Sequence, residues 1–247
     1  MNKILIIIPA FNEEGNIEKL FAKLCENNIK RFADILVIND ASSDRTGVIA
    51  KSFDIQVITH VFNLGYGSAL QVGYKYALRH NYEYVIQLDA DGQHSVSNIP
   101  LIYEHLTKRD EEGNFPDIII GSRFLEDSKS YKSSLLKRVS ISWFSWLIKL
   151  ITKKKITDPT SGLQGLNRKA FRYYSKFRNF DYNYPDANMI IQMYLLGFNI
   201  IEVPAIMYER TEGESMHTGW LKQLLYMLIM PLSIWSVVIR IKRGLQK

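Results

Sequence analysis

Short β-branched runs that each stop at a polar residue or a proline, separated by amphipathic stretches, constrain this chain more than any other feature. Residues 3–9, 34–40, 55–58 and 84–88 have the near-continuous apolar or β-forming pattern of strands covered on both faces. Between them the spacing predicts helices over about 17–27, with Ile17, Leu20, Phe21 and Leu24 on one face, and over about 45–53, entered through Ser42, Ser43 and Asp44 as caps. A third helix opens from the glycine-rich turn at 63–68 and runs to about Arg79. Such alternation with connections of a few residues makes an α/β chain, a parallel sheet wound with helices. Ligands of these sheets bind at the carboxyl ends of the strands, so Pro9, Asp40 and Asp89 are expected to gather on one edge. At 247 residues, one large domain with a sizeable core is the simplest organisation.

The run at 84–88 ends in Asp89-Ala90-Asp91-Gly92-Gln93-His94. Two carboxylates two residues apart project to the same side of an extended chain and repel each other, unless a cation lies between them. A hard divalent cation fits, because Mg²⁺ or Mn²⁺ takes a few carboxylates and completes its shell with substrate phosphate oxygens. Gln93 and His94 follow within reach of the same ion. On these letters alone, a polar turn at Gly92 explains the stretch equally well. The turn Asn63-Leu64-Gly65-Tyr66-Gly67-Ser68 is neither a Walker loop nor a full dinucleotide fingerprint, and reads as a plain helix entry or as a helix N-terminus able to host phosphate.

Composition removes several classes. One cysteine, Cys25, excludes an internal disulfide, and no Cys/His zinc spacing exists. Its place in a helical stretch predicts a buried structural thiol. The run at 4–8 is too short for a signal peptide. The net charge of +6 is modest, and its basic residues are mixed with tryptophan and aliphatic residues, which argues against nucleic acid as a partner.

Four stretches in order, at 8–14, 37–46, 63–67 and 89–94, resemble the motifs of a family 2 glycosyltransferase with the GT-A fold. Within that family the chain is similar to the dolichol-phosphate mannose synthases and their bacterial polyprenyl-phosphate relatives. The resemblance implies a single Rossmann-like, mostly parallel sheet flanked by helices, with membrane-associating amphipathic helices at the C-terminus. It implies that Pro9, Ala10, Asn12, Glu13, Asp40, Asn63, Gly65, Asp89 and Ala90 line the site of a nucleotide sugar (UDP- or GDP-linked). Asp89, Asp91 and Gln93 would then hold Mg²⁺ or Mn²⁺ on its diphosphate. Family members often carry Lys between the two glycines, where this chain has Tyr66.

The second half carries the expected acceptor side. Residues 117–124 form another strand ending at Arg123, and 126–134 read as a polar lid. A helix over 135–152 holds Trp143, Phe144 and Trp146 beside aliphatic residues. From Lys129 to Lys155 the chain has eight basic residues and no acid, the composition of a helix lying on an anionic membrane surface. The resemblance implies that Arg123, Arg138 and Ser142 hold a lipid phosphate, that 158–168 lines the sugar pocket, and that an acid near the transferred sugar falls at Asp186, with Asp181 as the second candidate. An N-terminal helix acid favoured by the dipole explains Asp186 equally well. It also implies that Arg210, Ser215 and His217 sit on a loop that folds over the diphosphate. Residues 200–204 are a strand. The apolar run 224–239, interrupted by Pro231, would span roughly 24 Å as a helix, short of the ~30 Å hydrocarbon core. That favours an interfacial or re-entrant helix, or an oligomer interface, over a single crossing.

These expectations combine into a catalytic domain over 1–218, divided near 95 into nucleotide-binding and acceptor halves, and a C-terminal hydrophobic segment over 219–247. The expected activity is inverting, metal-dependent transfer of a sugar to a polyprenyl phosphate at the cytoplasmic face of the plasma membrane, with Asp91, Asp186 and Arg123 at the reacting centre. A separate membrane protein or a second copy is a possible partner. The rivals are the same donor chemistry onto a saccharide hydroxyl of a lipid-linked glycan, and a non-catalytic membrane adaptor.

Overall fold

The structure is a computed structural model that describes residues 3–110, 113–129, 135–209 and 220–244, with the backbone alone at 135, 136 and 220–224. Seven strands form one sheet: β1 (Ile4–Ala10), β2 (Ala33–Asn39), β3 (Gln56–Thr59), β4 (Tyr84–Gln87), β5 (Ile118–Ser122), β6 (Gln164–Asn167) and β7 (Ile200–Pro204). Their order is β3-β2-β1-β4-β6-β5-β7. All neighbours pair in parallel except β6, which runs antiparallel to both β4 and β5. The helices are α1 (Glu14–Glu26), α2 (Thr46–Ser52), α3 (Tyr66–Arg79), α4 (Asn98–Thr107), α5 (Leu135–Thr152), α6 (Arg168–Tyr174), α7 (Ala187–Leu195) and α8 (Trp220–Lys242).

The period-2 alternation of β1 shows how the sheet divides the core. Ile4, Ile6 and Ile8 pack with α1, α2 and α4 on one face, while Leu5 and Ile7 pack with α3, α6, α7 and α8 on the other. The mostly parallel sheet flanked by helices agrees with the expected fold. The antiparallel β6, Gln-Gly-Leu-Asn, lies inside the stretch read only as pocket lining, and it lets the chain re-enter the middle of the sheet between β4 and β5.

Three expectations change. The first helix begins at Glu14, nearly a turn earlier than the apolar spacing suggested, because Asp44 and Thr46 side chains accept from the backbone N–H groups of Glu14 and Glu13. Cys25 is exposed, not buried: Ile17, Leu20, Phe21 and Leu24 take the inner face of α1 and leave Cys25 on the outer one. The C-terminal helix has 23 residues, roughly 34 Å, so length no longer argues against a crossing, and the window Leu225–Lys242 has a mean hydropathy of 1.5. Its inner stripe, Tyr226, Met230, Ile234 and Val237, is nevertheless buried against the domain. Of the lid, 130–134 lie outside the described residues; Lys129 is tied to the chain after β7 by bonds to Ala205 and Met207.

Candidate active site

The carboxyl ends of β1, β2, β3, β4 and β5 converge on one edge, and each delivers a polar group there. At the end of β2, Asp40 is buried and accepts three hydrogen bonds: from the His60 ring at 2.6 Å, from Leu64 N at 2.9 Å and from Gly65 N at 2.7 Å. A carboxylate has about four acceptor positions, so Asp40 is mostly spent on holding the glycine-rich loop in place. The β1–α1 and β2–α2 loops are knitted likewise: Asn12, at φ 53°, accepts from Ser43 N at 2.9 Å while its own N–H donates to Ser42 Oγ at 3.0 Å. Pro9 and Ala10 are buried in β1, Glu13 accepts from Asn16 at 2.8 Å, and Asn63 is exposed at the loop tip.

Asp89 is the hub of the next layer. Its Oδ1 accepts from the Tyr66 hydroxyl at 2.8 Å, and its Oδ2 lies 3.3 Å from His94 Nε2. Burial alone would raise the Asp89 carboxyl, but the His94 and Tyr66 hydrogen bonds and the Arg123 charge outweigh it and hold the group below its ordinary range. The Tyr66 phenol moves the other way: burial and the neighbouring carboxylate push it well up, so it remains a donor. Gly162 packs so close that a Cβ there would stand 2.0 Å from Asp89 Oδ2. Its carbonyl is fixed by Gln87 Nε2 at 2.9 Å, and Gln87 in turn accepts from Tyr74. Asp91 accepts from Gln93 N at 3.0 Å, Gln93 reaches the Tyr208 carbonyl, and Ala90 is buried between the two acids.

Arg123, at the end of β5, is buried and lies against the fully buried Asp158. Its Nε and one terminal nitrogen each contact an Asp158 oxygen at 2.6 Å, and the same terminal nitrogen reaches Thr160 Oγ1 at 2.9 Å. Glu202 on β7 accepts from the backbone and hydroxyl of Thr157 and from Asp158 N, which fixes Asp158 from behind.

The second acidic group comes from the loop before α7. Asp186 accepts from Tyr226 on α8 at 2.7 Å. Burial pushes its carboxyl up, the Tyr226 hydrogen bond pulls it down, the Asp181 and Asp89 charges push it up again, and it stands at about 6. Asp181 is satisfied differently, by Asn188 at 2.7 Å, Ser233 at 3.1 Å and the N–H groups of Asn183 and Tyr184. That makes Asp181 an organiser of its loop. Asp89, Arg123 and Asp186 act on one another electrostatically. Arg138 and Ser142 stand one turn apart on the exposed side of α5. Arg210, Ser215 and His217 lie outside the described residues.

His60, Tyr66, Glu202 and Tyr226 are the site residues that sequence reasoning did not assign, and Asp158, read only as part of the pocket lining, pairs with Arg123. Their contacts join positions 20 to 44 residues apart, which no local pattern encodes.

The donor set suits a hard cation. Among the described residues no cluster of three or more His, Cys, Asp or Glu side chains could hold a metal alone. Asp89 and Asp91 with the Gln93 amide oxygen would supply oxygen donors of the kind Mg²⁺ or Mn²⁺ takes, the rest of its shell being left to phosphate and water.

Known proteins resemble this chain in sequence and in fold. The model of "Glycosyl transferase family 2" matches residues 5–175. The undecaprenyl-phosphate mannosyltransferase of Micrococcus luteus is 27% identical over 88% of this chain and 88% of its own. The dolichol-phosphate mannosyltransferase of Pyrococcus furiosus is 27% identical over 88% of this chain and 60% of its own. Among solved structures, glucosyl-3-phosphoglycerate synthase from Mycobacterium tuberculosis in complex with Mn²⁺, UDP and glucosyl-3-phosphoglycerate superposes with a TM-score of 0.61 at 16% identity, over 96% of this chain and 78% of its own. The fold is therefore GT-A, and with more than half its length matched the chain belongs to glycosyltransferase family 2.

Proposed function

We propose that this glycosyltransferase moves a sugar from a nucleoside diphosphate to a polyprenyl phosphate, with inversion at the anomeric carbon. The observation that carries this reading is the junction of Asp89, Arg123 and Asp186 with α8, a helix whose far side is apolar and exposed. Leu225, Leu228, Leu232 and Trp235 form that outer stripe; on α5, Val139, Trp143, Trp146 and Leu150 form a second one, with the two tryptophans stacked at 5.1 Å. The helices adjoin through Phe144 and Tyr226. With Arg138, Lys149 and the exposed Lys153, Lys154 and Lys155 alongside, both stripes suit the surface of an anionic bilayer. A cavity of about 640 Å³ opens between Asp181, Asn183 and Tyr184 on one wall and Ile229, Met230 and Leu232 on the other; its apolar wall suits isoprene units, while its one charged residue, Asp181, leaves the lipid phosphate to the arginines. The two named mannosyltransferase relatives support the same acceptor class.

The loops at Pro9–Glu13, Asp40 and 63–65 would cradle the nucleoside, and Asp89, Asp91 and Gln93 would hold the cation. Bound there, Mg²⁺ or Mn²⁺ would neutralise charge on the departing diphosphate. Arg123, positioned by Asp158, would bear on the acceptor phosphate, and Arg138 and Ser142 would extend that contact from α5. An acceptor phosphate oxygen bonds to the anomeric carbon as the bond to the diphosphate breaks on the opposite face. The acceptor is already ionised and needs no general base, so Asp186 would orient the sugar. One observation favours a second reading: a carboxyl at about 6 suits a base near neutral pH, as a saccharide hydroxyl acceptor would demand. The protein would work as a peripheral enzyme on the cytoplasmic face of the plasma membrane, with or without a membrane partner.

The test is incubation with undecaprenyl phosphate in detergent, Mn²⁺ or Mg²⁺ and labelled UDP- and GDP-sugars, counting label in the organic phase. Metal-dependent transfer, abolished by Asp91→Asn while vesicle binding is kept, is the expected result. No transfer to the lipid, with nucleotide release only when an oligosaccharide is supplied, would move the assignment to the saccharide acceptor.

A further inference from the structure

Tyr66 is the first residue of α3, where the glycine-rich loop turns into the helix. We propose, on the reading of this edge as a nucleotide-sugar site, that the phenol oxygen of Tyr66 binds a hydroxyl of the transferred sugar.

Three contacts fix where this side chain stands. Just before it, Gly65 N donates to Asp40 at 2.7 Å. Just after it, Gly67 lies tight against the acidic loop: a Cβ there would stand 2.5 Å from the Tyr182 carbonyl oxygen and 2.7 Å from that of Asp181. The phenol itself reaches Asp89 Oδ1 at 2.8 Å. Tyr66 is thus where the loop held by Asp40, the carboxylate of Asp89 and the segment that leads to Asp186 come together. Burial, then the Asp89 charge and, more weakly, the Asp186 charge push the phenol up, so both acids act on it. Tyr66, Asp89 and Asp186 are each only partly buried, and the Asp89 side chain keeps 27% of its exposure. The cluster is open to solvent.

Hydrogen-bond capacity then selects the ligand. A phenol has one donor and two acceptor positions. The donor is spent on Asp89, and among the described residues none donates to the Tyr66 oxygen. What remains is an acceptor. Phosphate oxygens also only accept, and a neutral phenol is a poor ligand for a hard cation that has carboxylates beside it. A hydroxyl fits, because it can donate to the phenol oxygen. A nucleotide sugar carries hydroxyls on its ribose and on the transferred sugar. The close packing of Gly67 on the 181–182 backbone turns this end of α3 toward the loop of Asp186, the acid given above to the sugar, and so favours the second.

The test is calorimetric titration of the full chain with Mn²⁺ and no acceptor, so its outcome does not depend on the lipid. Wild type and Tyr66→Phe are titrated with UDP, GDP, UDP-glucose, UDP-N-acetylglucosamine and GDP-mannose, and the best-bound sugar nucleotide is compared with its own nucleoside diphosphate. Losing the bond to Asp89 weakens both ligands alike, so the decisive quantity is their ratio. Tyr66→Phe is expected to lower the affinity for the sugar nucleotide about fivefold more than that for the diphosphate. A monodeoxy analogue lacking the contacted hydroxyl should lose the same factor in wild type and nothing further in the variant. A ratio unchanged from wild type overturns the sugar contact, gives Tyr66 to Asp89 or to the ribose, and leaves the donor site standing. Wild type that binds none of these nucleotides overturns the donor site and the contact together. Deoxyfluoro analogues answer the question even if Tyr66→Phe does not fold. Fluorine cannot donate, so wild type should lose affinity when it replaces the contacted hydroxyl, and full affinity for every such analogue overturns the contact.

Discussion

The hydroxyl of Tyr226 donates to Asp186 Oδ2 at 2.7 Å, and this bond joins the helix with the exposed apolar stripe to the acid that precedes α7. The phenol is held by Phe144 and Tyr184, each with ring centroids 5.2 Å away, so its direction is set by α5 and by the Asp186 loop as much as by α8. Seven residues along α8, Ser233 touches both Asp181 and Asn188. The acidic loop therefore takes its position from the two helices whose outer faces suit a bilayer.

Tyr226→Phe keeps the ring contacts and removes the donor. A hydrogen bond to a charged group contributes about 1.5–3 kcal/mol, so a loss of that size in stability near pH 7.5 is expected. Without the hydroxyl, the Asp186 carboxyl rises further above 6, and the pH profile of sugar transfer shifts upward. Turnover is expected to fall on the order of tenfold. A pH profile that superposes on wild type would detach Tyr226 from the acid.

Asp186 itself gives a pH-dependent stability. Its folded value of about 6 lies above the ordinary 3.8, so the folded state binds the proton more tightly than the unfolded chain does. The penalty for ionising it is absent below about 3.8, grows between 3.8 and 6, and is complete above 6; two units correspond to roughly 3 kcal/mol at most. Asp186→Asn should then melt several degrees higher than wild type at pH 7.5, with the gap closing at pH 4. Melting curves across that range decide it, and a gap that does not change with pH rules out the buried carboxyl as its source.

Asp158 is expected to be the residue most costly to neutralise. It meets Arg123 through both oxygens at 2.6 Å, with side-chain exposures of 0% and 6%. Removing one charge of a buried pair costs about 3–5 kcal/mol, so Asp158→Asn should lower the melting temperature by roughly 10 °C. Arg123→Lys keeps the charge but loses the fork, and should lose most acceptor affinity with donor binding retained. Equal losses for donor and acceptor would place Arg123 elsewhere in the reaction.

Much of the fold is legible in the chain because its central strands are buried on both faces. The runs at 3–9, 34–40, 84–88 and 117–124 can be little else. Gln164-Gly165-Leu166-Asn167 is too short and mixed to announce β6, and its antiparallel course follows from the space between β4 and β5, not from its own letters. Residues 98–107 form α4 although Pro100 interrupts them; a proline in the first turn gives up no helical hydrogen bond. At the site, the strand-end acids follow from topology, but the chain leaves β4 at Gln87 and turns at 90–91, so strand alternation does not set how Asp89 and Asp91 face each other. What they touch does not follow. Tyr66 meets Asp89 across 23 residues and His60 meets Asp40 across 20; each contact depends on which strands become neighbours. Cys25 shows the opposite failure: a helical position is easy to assign, but its face depends on the neighbouring apolar set.

Gly162 provides the sharpest test of how Asp89 is held. The backbone there is pinned on one side by Gln87, itself fixed by Tyr74, and on the other side touches the carboxylate. A methyl group at Gly162 would stand 2.0 Å from Asp89 Oδ2, so the carboxylate must swing away from Tyr66 and His94, the two donors that orient it. The pinned backbone has little freedom to yield instead. Gly162→Ala should therefore fold with a modest loss of about 1–3 kcal/mol, yet bind Mn²⁺ and UDP together at least tenfold more weakly than wild type. Calorimetric titration of nucleotide with and without Mn²⁺ separates the effects. Loss confined to the metal-dependent part of the affinity is expected, whereas an equal loss without metal would mean that Asp89 meets the nucleotide directly.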